Sequence, residues 1–270
     1  MVDCATSATE HRADNALRAQ SWFTDSDKRA VSTAFDERET GHLRALAVTA
    51  LHSLFVHLHG RAPKTLLDVG CGSGEGLAYA QHLDPELRMS GIDPAAEAIS
   101  AARRRNPQAT LHNIDAGALT ADLIDPPEIA LIHLCLGLWP EPAQGLTAIM
   151  DVMPPESVLY IVDVNRADEP NAFDAARTHA ERSYLVDQYR AAYLPNELQQ
   201  LLSAASALTE RKLHTHVAAD GLAGFPFGSI EQIALLNSPT FQKALRGVSR
   251  QQRHNGAPLR PLHAWVWPES

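Results

Sequence analysis

The sequence predicts a doubly wound α/β fold: a seven-stranded, mostly parallel sheet with an antiparallel last strand, N-terminal cover helices and a helical insert after strand 5. Three observations carry this. From Thr65 onward, short apolar runs alternate with amphipathic stretches, the texture of strands buried on both faces and joined by crossover helices. The first of those strands runs directly into a glycine-dense turn, Asp68-Val69-Gly70-Cys71-Gly72-Ser73-Gly74. Prolines fall where helices must end, at Pro107 and at the pair Pro154, Pro155.

Residues 1–15 are polar and Ala-rich and read as a frayed end. Helices follow around Ser26–Phe35 and Gly41–His59, the second with Leu43, Leu46, Val48, Leu51, Leu54, Phe55 and Leu58 on one broad face. Residues 1–60 are therefore expected to form a helical extension or lid, and 61–270 the main domain. Strands are predicted at Thr65–Val69, Arg88–Ile92, Ala109–Asn113, Ile129–Cys135 and Val158–Val162, with helices Gly76–Leu83, Ala95–Arg105 and Gln144–Met153 between them. After Val162 the alternation loosens into an insert, about 166–194, whose helix is Asn171–Ala192. A helix opened by Pro195 (Pro195–Ser206), a strand Glu210–Val217, a Gly/Pro-rich loop Asp220–Ser229, two short helices and a strand Leu259–Trp267 complete the chain. The two late strands, separated by a long connection, predict an antiparallel pair at the sheet edge.

Composition narrows the function classes. With 270 residues the chain buries roughly 70–75% of its unfolded surface, so its core needs neither metal nor disulfide. Cys4, Cys71 and Cys135 are widely spaced without a CxxC pair, which encodes neither a disulfide framework nor a zinc knuckle and points to a reducing compartment, the cytoplasm. No leader-like N-terminus and no apolar run near the ~20 residues of a membrane span is present. The balance of 32 acidic against 23 basic residues, net charge -9, repels phosphate backbones. Arg103, Arg104 and Arg105, the only dense basic cluster, sit at a predicted helix end where cations complement the macrodipole, and read as a solvated face. Neither nucleic acid nor membrane is an expected partner.

Alternating glycines permit positive φ and leave room for a ligand against the backbone. A dinucleotide reader needs G-x-G-x-x-G, yet the third slot is Glu75 counted from Gly70 and Leu77 counted from Gly72. The loop also lacks the Lys-Ser/Thr pair of a phosphate-binding P-loop. A nucleoside without phosphates remains the natural ligand.

The stretch Asp68–Gly74 resembles the first motif of the class I S-adenosylmethionine-dependent methyltransferases, an acid and an apolar residue followed by G-x-G-x-G at the end of the first strand. The similarity continues along the chain. Asp93, closing the second strand, sits where the family's acid binds the ribose hydroxyls, and Asp115, after the third, matches the acid that accepts from the adenine amino group. Leu134–Pro140 is similar to the family's loop over the cofactor, and Met153–Asp163 to its fifth-strand segment, with Pro-Glu-Ser in place of the usual Pro-Gly-Gly. The resemblance covers Thr65–Asp163 by motif and Pro195–Trp267 by topology. It implies S-adenosyl-L-methionine as cofactor, held by Asp68, Gly70, Cys71, Gly72, Gly74, Asp93, Pro94, Asp115, Ala116 and Leu134, and methyl transfer to an O or N atom of a small molecule.

Methyl transfer from a sulfonium is an in-line displacement, so alignment matters most and a base is needed only for a protonated nucleophile. His133 and Asp163 are the candidate bases; a core histidine satisfied by a neighbour and a strand-end Asp capping a turn are the structural alternatives. His112 and Asn165 stand in the same position. Trp139, on the loop above the methyl, and Tyr184, Tyr189 and Tyr193, on the insert, are candidates to wall the substrate pocket. Spaced i, i+5 and i+9, the tyrosines do not share a helical face, so at most two point inward. Phe227 in the Gly/Pro-rich loop offers either a pocket wall or a homodimer contact. His214 and His216 share a strand face but find no third ligand in the pattern, so no metal is expected. Trp22 and Phe23 mark a candidate lid over the cofactor. The alternatives to a small-molecule methyltransferase are a non-catalytic S-adenosylmethionine-binding scaffold and an enzyme acting on a protein or tRNA acceptor.

Overall fold

A computed structural model describes residues 3–39, 41–168, 173–174, 176–209, 212–218 and 261–268. Three helices, α1 (Asp3–Thr24), α2 (Ser26–Glu39) and α3 (Gly41–His59), precede the sheet. There follow β1 (Thr65–Val69), α4 (Glu75–Leu83), β2 (Arg88–Ile92), α5 (Ala96–Arg105), β3 (Thr110–His112), β4 (Ile129–His133), α6 (Pro142–Val152) and β5 (Val158–Asp163). The chain then forms α7 (His179–Ala191), α8 (Pro195–Leu208), β6 (Leu213–Ala218) and β7 (Leu262–Pro268). The sheet order is β3-β2-β1-β4-β5-β7-β6. β1 to β5 are mutually parallel, and β7 runs antiparallel to both its neighbours. The order reverses between β1 and β4, and an open α/β sheet places its ligand in the crevice at that switch point, beyond the carboxyl strand ends.

The apolar runs make these strands because both faces are covered: β1, β4 and β5 are buried at every residue. Successive side chains alternate, so Leu66 packs with Leu51, Leu54, Phe55, Leu77 and Ile99 under α3, α4 and α5. Leu67 packs on the opposite face with Leu146, Ile149, Leu198 and Leu202 of α6 and α8. On the first face the Tyr160 ring of β5 stacks on Trp265 of β7 at 3.6 Å between centroids, and its hydroxyl meets His263 Nδ1 at 2.6 Å. A third cluster, Trp22, Phe35, Tyr184, Leu185 and Tyr189, joins α1, α2 and α7 into a cap. Of the N-terminal helices, α3 therefore belongs to the core of the sheet and only α1 and α2 to the cap.

The structure departs from the sequence-based reading in places. Residues read as frayed belong to α1, whose Ala16, Ala19 and Trp22 are buried. Alanine favours the helix locally, and the α7 surface that fixes it lies far along the chain. β4 stops at His133 because Leu134 turns into the left-handed region at φ 56°. β3 is shorter than expected, and the insert helix begins at His179, where the Thr178 hydroxyl accepts the Glu181 N–H at 3.1 Å. The Gly/Pro-rich loop with Phe227, and the two short helices after it, lie outside the described residues. Among the described residues no helix is long and apolar enough to cross a membrane.

Candidate active site

The site grows from the turn after β1. Gly70 and Gly74 take φ of 70° and 77°, and neither has room for a side chain. A Cβ on Gly70 would lie 2.5 Å from Cys135 Sγ, and one on Gly74 would lie 2.4 Å from Asn106 Nδ2. The turn is fastened from behind by α5 and its end. Asn106 Nδ2 donates to Gly74 O at 2.8 Å, and Arg105 Nη1 donates to Ser73 O at 2.6 Å and Ser73 Oγ at 2.8 Å. Arg103 Nη2 donates to Leu111 O at 2.9 Å. All three arginines are exposed, as a solvated face requires, and two of them also bond back, Arg103 to β3 and Arg105 to the Ser73 turn.

At the end of β2, the Asp93 carboxylate accepts from Gly72 N–H at 3.0 Å through Oδ2 and from Ala95 N–H at 2.8 Å through Oδ1. Burial raises its pKa, these two N–H groups oppose the rise, and the charge of Asp115 adds to it. Above the strand ends lies a cleft of about 500 Å³. Gly70, Pro94, Asp115, Ala116 and Trp139 line it, together with Leu17 and Gln20 from α1 and Gln144 from α6. The volume falls in the range of about 300–1,000 Å³ typical of small-molecule sites. Apolar walls from Val69, Ile92, Ile114 and Trp139 together with the acids Asp115 and Glu141 suit a nucleoside, whose ring is apolar and whose hydroxyls and amine donate.

Other residues proposed for this site, among them Gly72, Gly74 and Asp93, stand around the cleft rather than in its lining. Asp68 is buried behind the turn, its Oδ2 against Gly76, and burial pushes its carboxyl up to about 7, with Arg44 opposing and Asp93 adding. Cys71 is buried, and burial pushes its thiol well up. Trp139, expected on the loop above the methyl, lines the larger cleft.

Leu134, expected against the cofactor, lines a second and smaller cavity of about 50 Å³. Its left-handed backbone is held by a 2.7 Å bond from its N–H to Val162 O, and the next residue, Cys135, abuts Gly70. Phe35, Asp36, Asn165, Tyr184, Gln188 and Tyr189 complete most of the wall. The Tyr184 hydroxyl donates to Asp36 Oδ1 at 2.9 Å. Burial pushes Asp36 up to about 6 against the pull of that bond and of the Arg44 charge. Asp163 is likewise pushed to about 6 by burial. Both of its oxygens are engaged, Oδ2 by Gly137 N–H at 2.9 Å and Oδ1 by Val164 N–H at 2.7 Å, so it ties the turn Leu136–Leu138 to β5.

Of the remaining candidates, Tyr184 faces the second cavity, whereas His133 and Tyr193 line neither. His133 is a buried residue closing β4, and Tyr193 packs under the Arg12 guanidinium at 3.6 Å. His112 Nε2 pairs with Leu123 O at 2.8 Å. His214 stacks on Trp267, and among the described residues no group of three His, Cys, Asp or Glu could hold a metal ion. Sequence reasoning missed Asp36, Gln188, Leu17 and Gln20. Each sits on a helix without a local motif, and only the packing of α1 and α2 on α7 turns it toward a cavity.

The comparisons with known proteins agree with this geometry. A methyltransferase-domain family matches residues 40–207. The plantazolicin methyltransferase BamL, solved in complex with a triazolic desmethylPZN analog and SAH, superposes with a TM-score of 0.90 at 28% identity, covering 98% of this chain and 99% of that one. BpumL, solved in complex with SAH, gives 0.86 at 30% identity with the same coverage. The trans-aconitate 2-methyltransferases of Methylobacterium nodulans and Azoarcus sp. are 26% and 28% identical over 110 and 107 residues. Those matches span 41% and 40% of this chain and 42% of each relative.

Proposed function

Because the chain belongs to the class I S-adenosylmethionine-dependent methyltransferases, we propose that it methylates an O or N atom of a small molecule, and that the atom is an amine nitrogen. The observation that carries this is the cavity beside Leu134, which at about 50 Å³ takes the reacting end of an acceptor and not a whole molecule: a carboxylate, two phenols and two amides on an apolar wall, with no Lys or Arg among its lining residues. Such a lining attracts an ammonium and repels an anionic acid.

Bound in the larger cleft, the cofactor supplies a methyl already activated on a sulfonium. Asp93 and Asp115 suit the donors of its ribose and adenine. The Gly70–Gly74 turn lets its amino-acid end lie against backbone, and Leu17, Gln20 and Trp139 line the cleft around it. Asp36, ionised above about pH 6, holds a cationic acceptor and accepts the proton that must leave before nitrogen can attack. Leu134 lines the acceptor cavity, and its neighbour Cys135 abuts Gly70 of the cofactor turn, so the short segment between them bears on the alignment of nucleophile and methyl.

The relatives name two kinds of acceptor, a desmethylPZN analog for the plantazolicin enzymes and trans-aconitate for the others. The cation-friendly lining favours an amine acceptor over trans-aconitate. The test is transfer of a labelled methyl to a panel of azole-bearing amines, desmethylPZN analogs, phenols and trans-aconitate. Transfer to amines is expected; turnover of trans-aconitate alone would overturn the reading.

A further inference from the structure

Helix α1 has two working sides. Leu17 and Gln20 line the cofactor cleft, whereas α7 contributes no residue to that lining. Leu17 is 51% exposed, an apolar side chain that a molecule in the cleft covers. Two residues beyond Gln20, Trp22 is 7% exposed and points the other way. Its Nε1–H donates to Asp187 Oδ2 at 2.8 Å, and its ring meets Tyr184 edge-on at 5.6 Å. Its carbonyl accepts the Ser32 hydroxyl at 2.7 Å, which fixes the corner between α1 and α2 just ahead of Phe35 and Asp36. One further bond runs alongside, from Gln188 Nε2 to Ala19 O at 3.1 Å. Tyr184 and Gln188, on either side of Asp187 along α7, carry polar groups into the acceptor cavity next to Asp36, as does Tyr189 further along the same helix.

We propose that Trp22 is a positioning residue that couples the two cavities: a cofactor held against one side of α1 fixes, through the Trp22–Asp187 bond, the α7 residues that shape the acceptor cavity. The acceptor cavity is then complete only when the methyl donor is in place. This rests on the reading of the second cavity as the acceptor site, yet its test needs no acceptor, so failure of the amine assignment leaves it standing.

Amide hydrogen exchange of the full chain, with and without S-adenosylhomocysteine, reads the coupling directly. In the wild type the ligand should slow exchange in α7 by about five-fold, although α7 lines no part of its cleft. Trp22→Phe keeps an aromatic ring against Tyr184 and removes the donor; Asp187→Ala removes the acceptor and leaves Trp22 in place. In both, the slowing in α7 should fall below about two-fold while calorimetric affinity for the ligand changes by less than about three-fold. Exchange in β1 and β4 should be unaltered. Unchanged exchange in α7 on ligand addition to the wild type would overturn the coupling, as would protection retained in both variants. Fast exchange in α7 of both variants already without ligand would mark the bond as merely structural and overturn it too. Absence of any ligand binding would overturn the cofactor assignment and the coupling with it.

Discussion

Gly74→Ala tests how the cofactor turn is held. Two costs follow from the structure. The backbone at φ 77° disfavours any residue with a Cβ, at about 1–2 kcal/mol. The new Cβ would also fall 2.4 Å from Asn106 Nδ2, so the amide must leave. Its bonds to Gly74 O at 2.8 Å and Ala102 O at 3.3 Å then break in an environment where Asn106 is 1% exposed. A buried polar group left unpaired costs about 1–3 kcal/mol. The sum is about 2–5 kcal/mol, a fall in Tm of about 4–20 °C at about 2–4 °C per kcal/mol for a chain near this size. Thermal unfolding of Gly74→Ala, Asn106→Ala and the double variant checks the reasoning. Asn106→Ala alone should cost about 1–3 kcal/mol through the lost bonds. In the double variant the amide is already gone, leaving only the backbone penalty and the approach to Ala102 Cβ at 3.1 Å, so the loss should be smaller than the sum of the singles. Additive losses, or a drop below about 2 °C for Gly74→Ala, would refute the account.

Asp36 and Asp163, pushed to about 6, and Asp68, to about 7, bind protons more readily folded than unfolded. Stability from these groups is therefore lost as pH rises from about 4 through 7; His263, lowered to about 4, pulls the other way by one proton, so the net trend is still downward. Urea midpoints should fall from pH 5 to pH 7.5, and Asp68→Asn should flatten the slope; a rising midpoint would contradict the burial of these acids. Asp163→Asn can satisfy only one of the Gly137 and Val164 N–H groups, and the loosened Leu136–Leu138 turn should weaken S-adenosylhomocysteine by about ten-fold in calorimetry. Asp36→Asn should lower kcat/KM for an amine acceptor by about ten-fold or more and leave cofactor affinity unchanged, a split that steady-state kinetics with both substrates resolves.

What could be read from the sequence was whatever local chemistry decides. β1 and β2 end where apolar runs meet a glycine turn or an acid, and their bounds follow residue by residue. Gly70, Asp93 and Asp115 fall at strand ends, where topology alone brings them together. Asp36 and Tyr184 meet across 148 residues, through a helix pairing that no periodicity announces. Arg105 and Asn106 look like the solvated end of a helix until the turn 32 residues earlier is folded against them. A leucine in the left-handed region, as at Leu134, is opposite to what backbone preference dictates, and the bond from its N–H to Val162 O, made only when β4 and β5 pair, holds it there.

The place of β7 in the sheet has a consequence for how the molecule assembles. β6 pairs with the sheet through β7, and β7 is made last of the seven, so β5 presents an open, largely apolar edge until residues 262–268 arrive. Chain emerging from the ribosome is therefore sticky along one strand for the time needed to synthesise the connection. When β7 does arrive it must choose its register, because a slip of one residue turns Trp265 to the opposite face of the sheet. The Tyr160 pair of contacts, ring on Trp265 and hydroxyl on His263, rewards a single alignment, so the last strand to be made carries its own key.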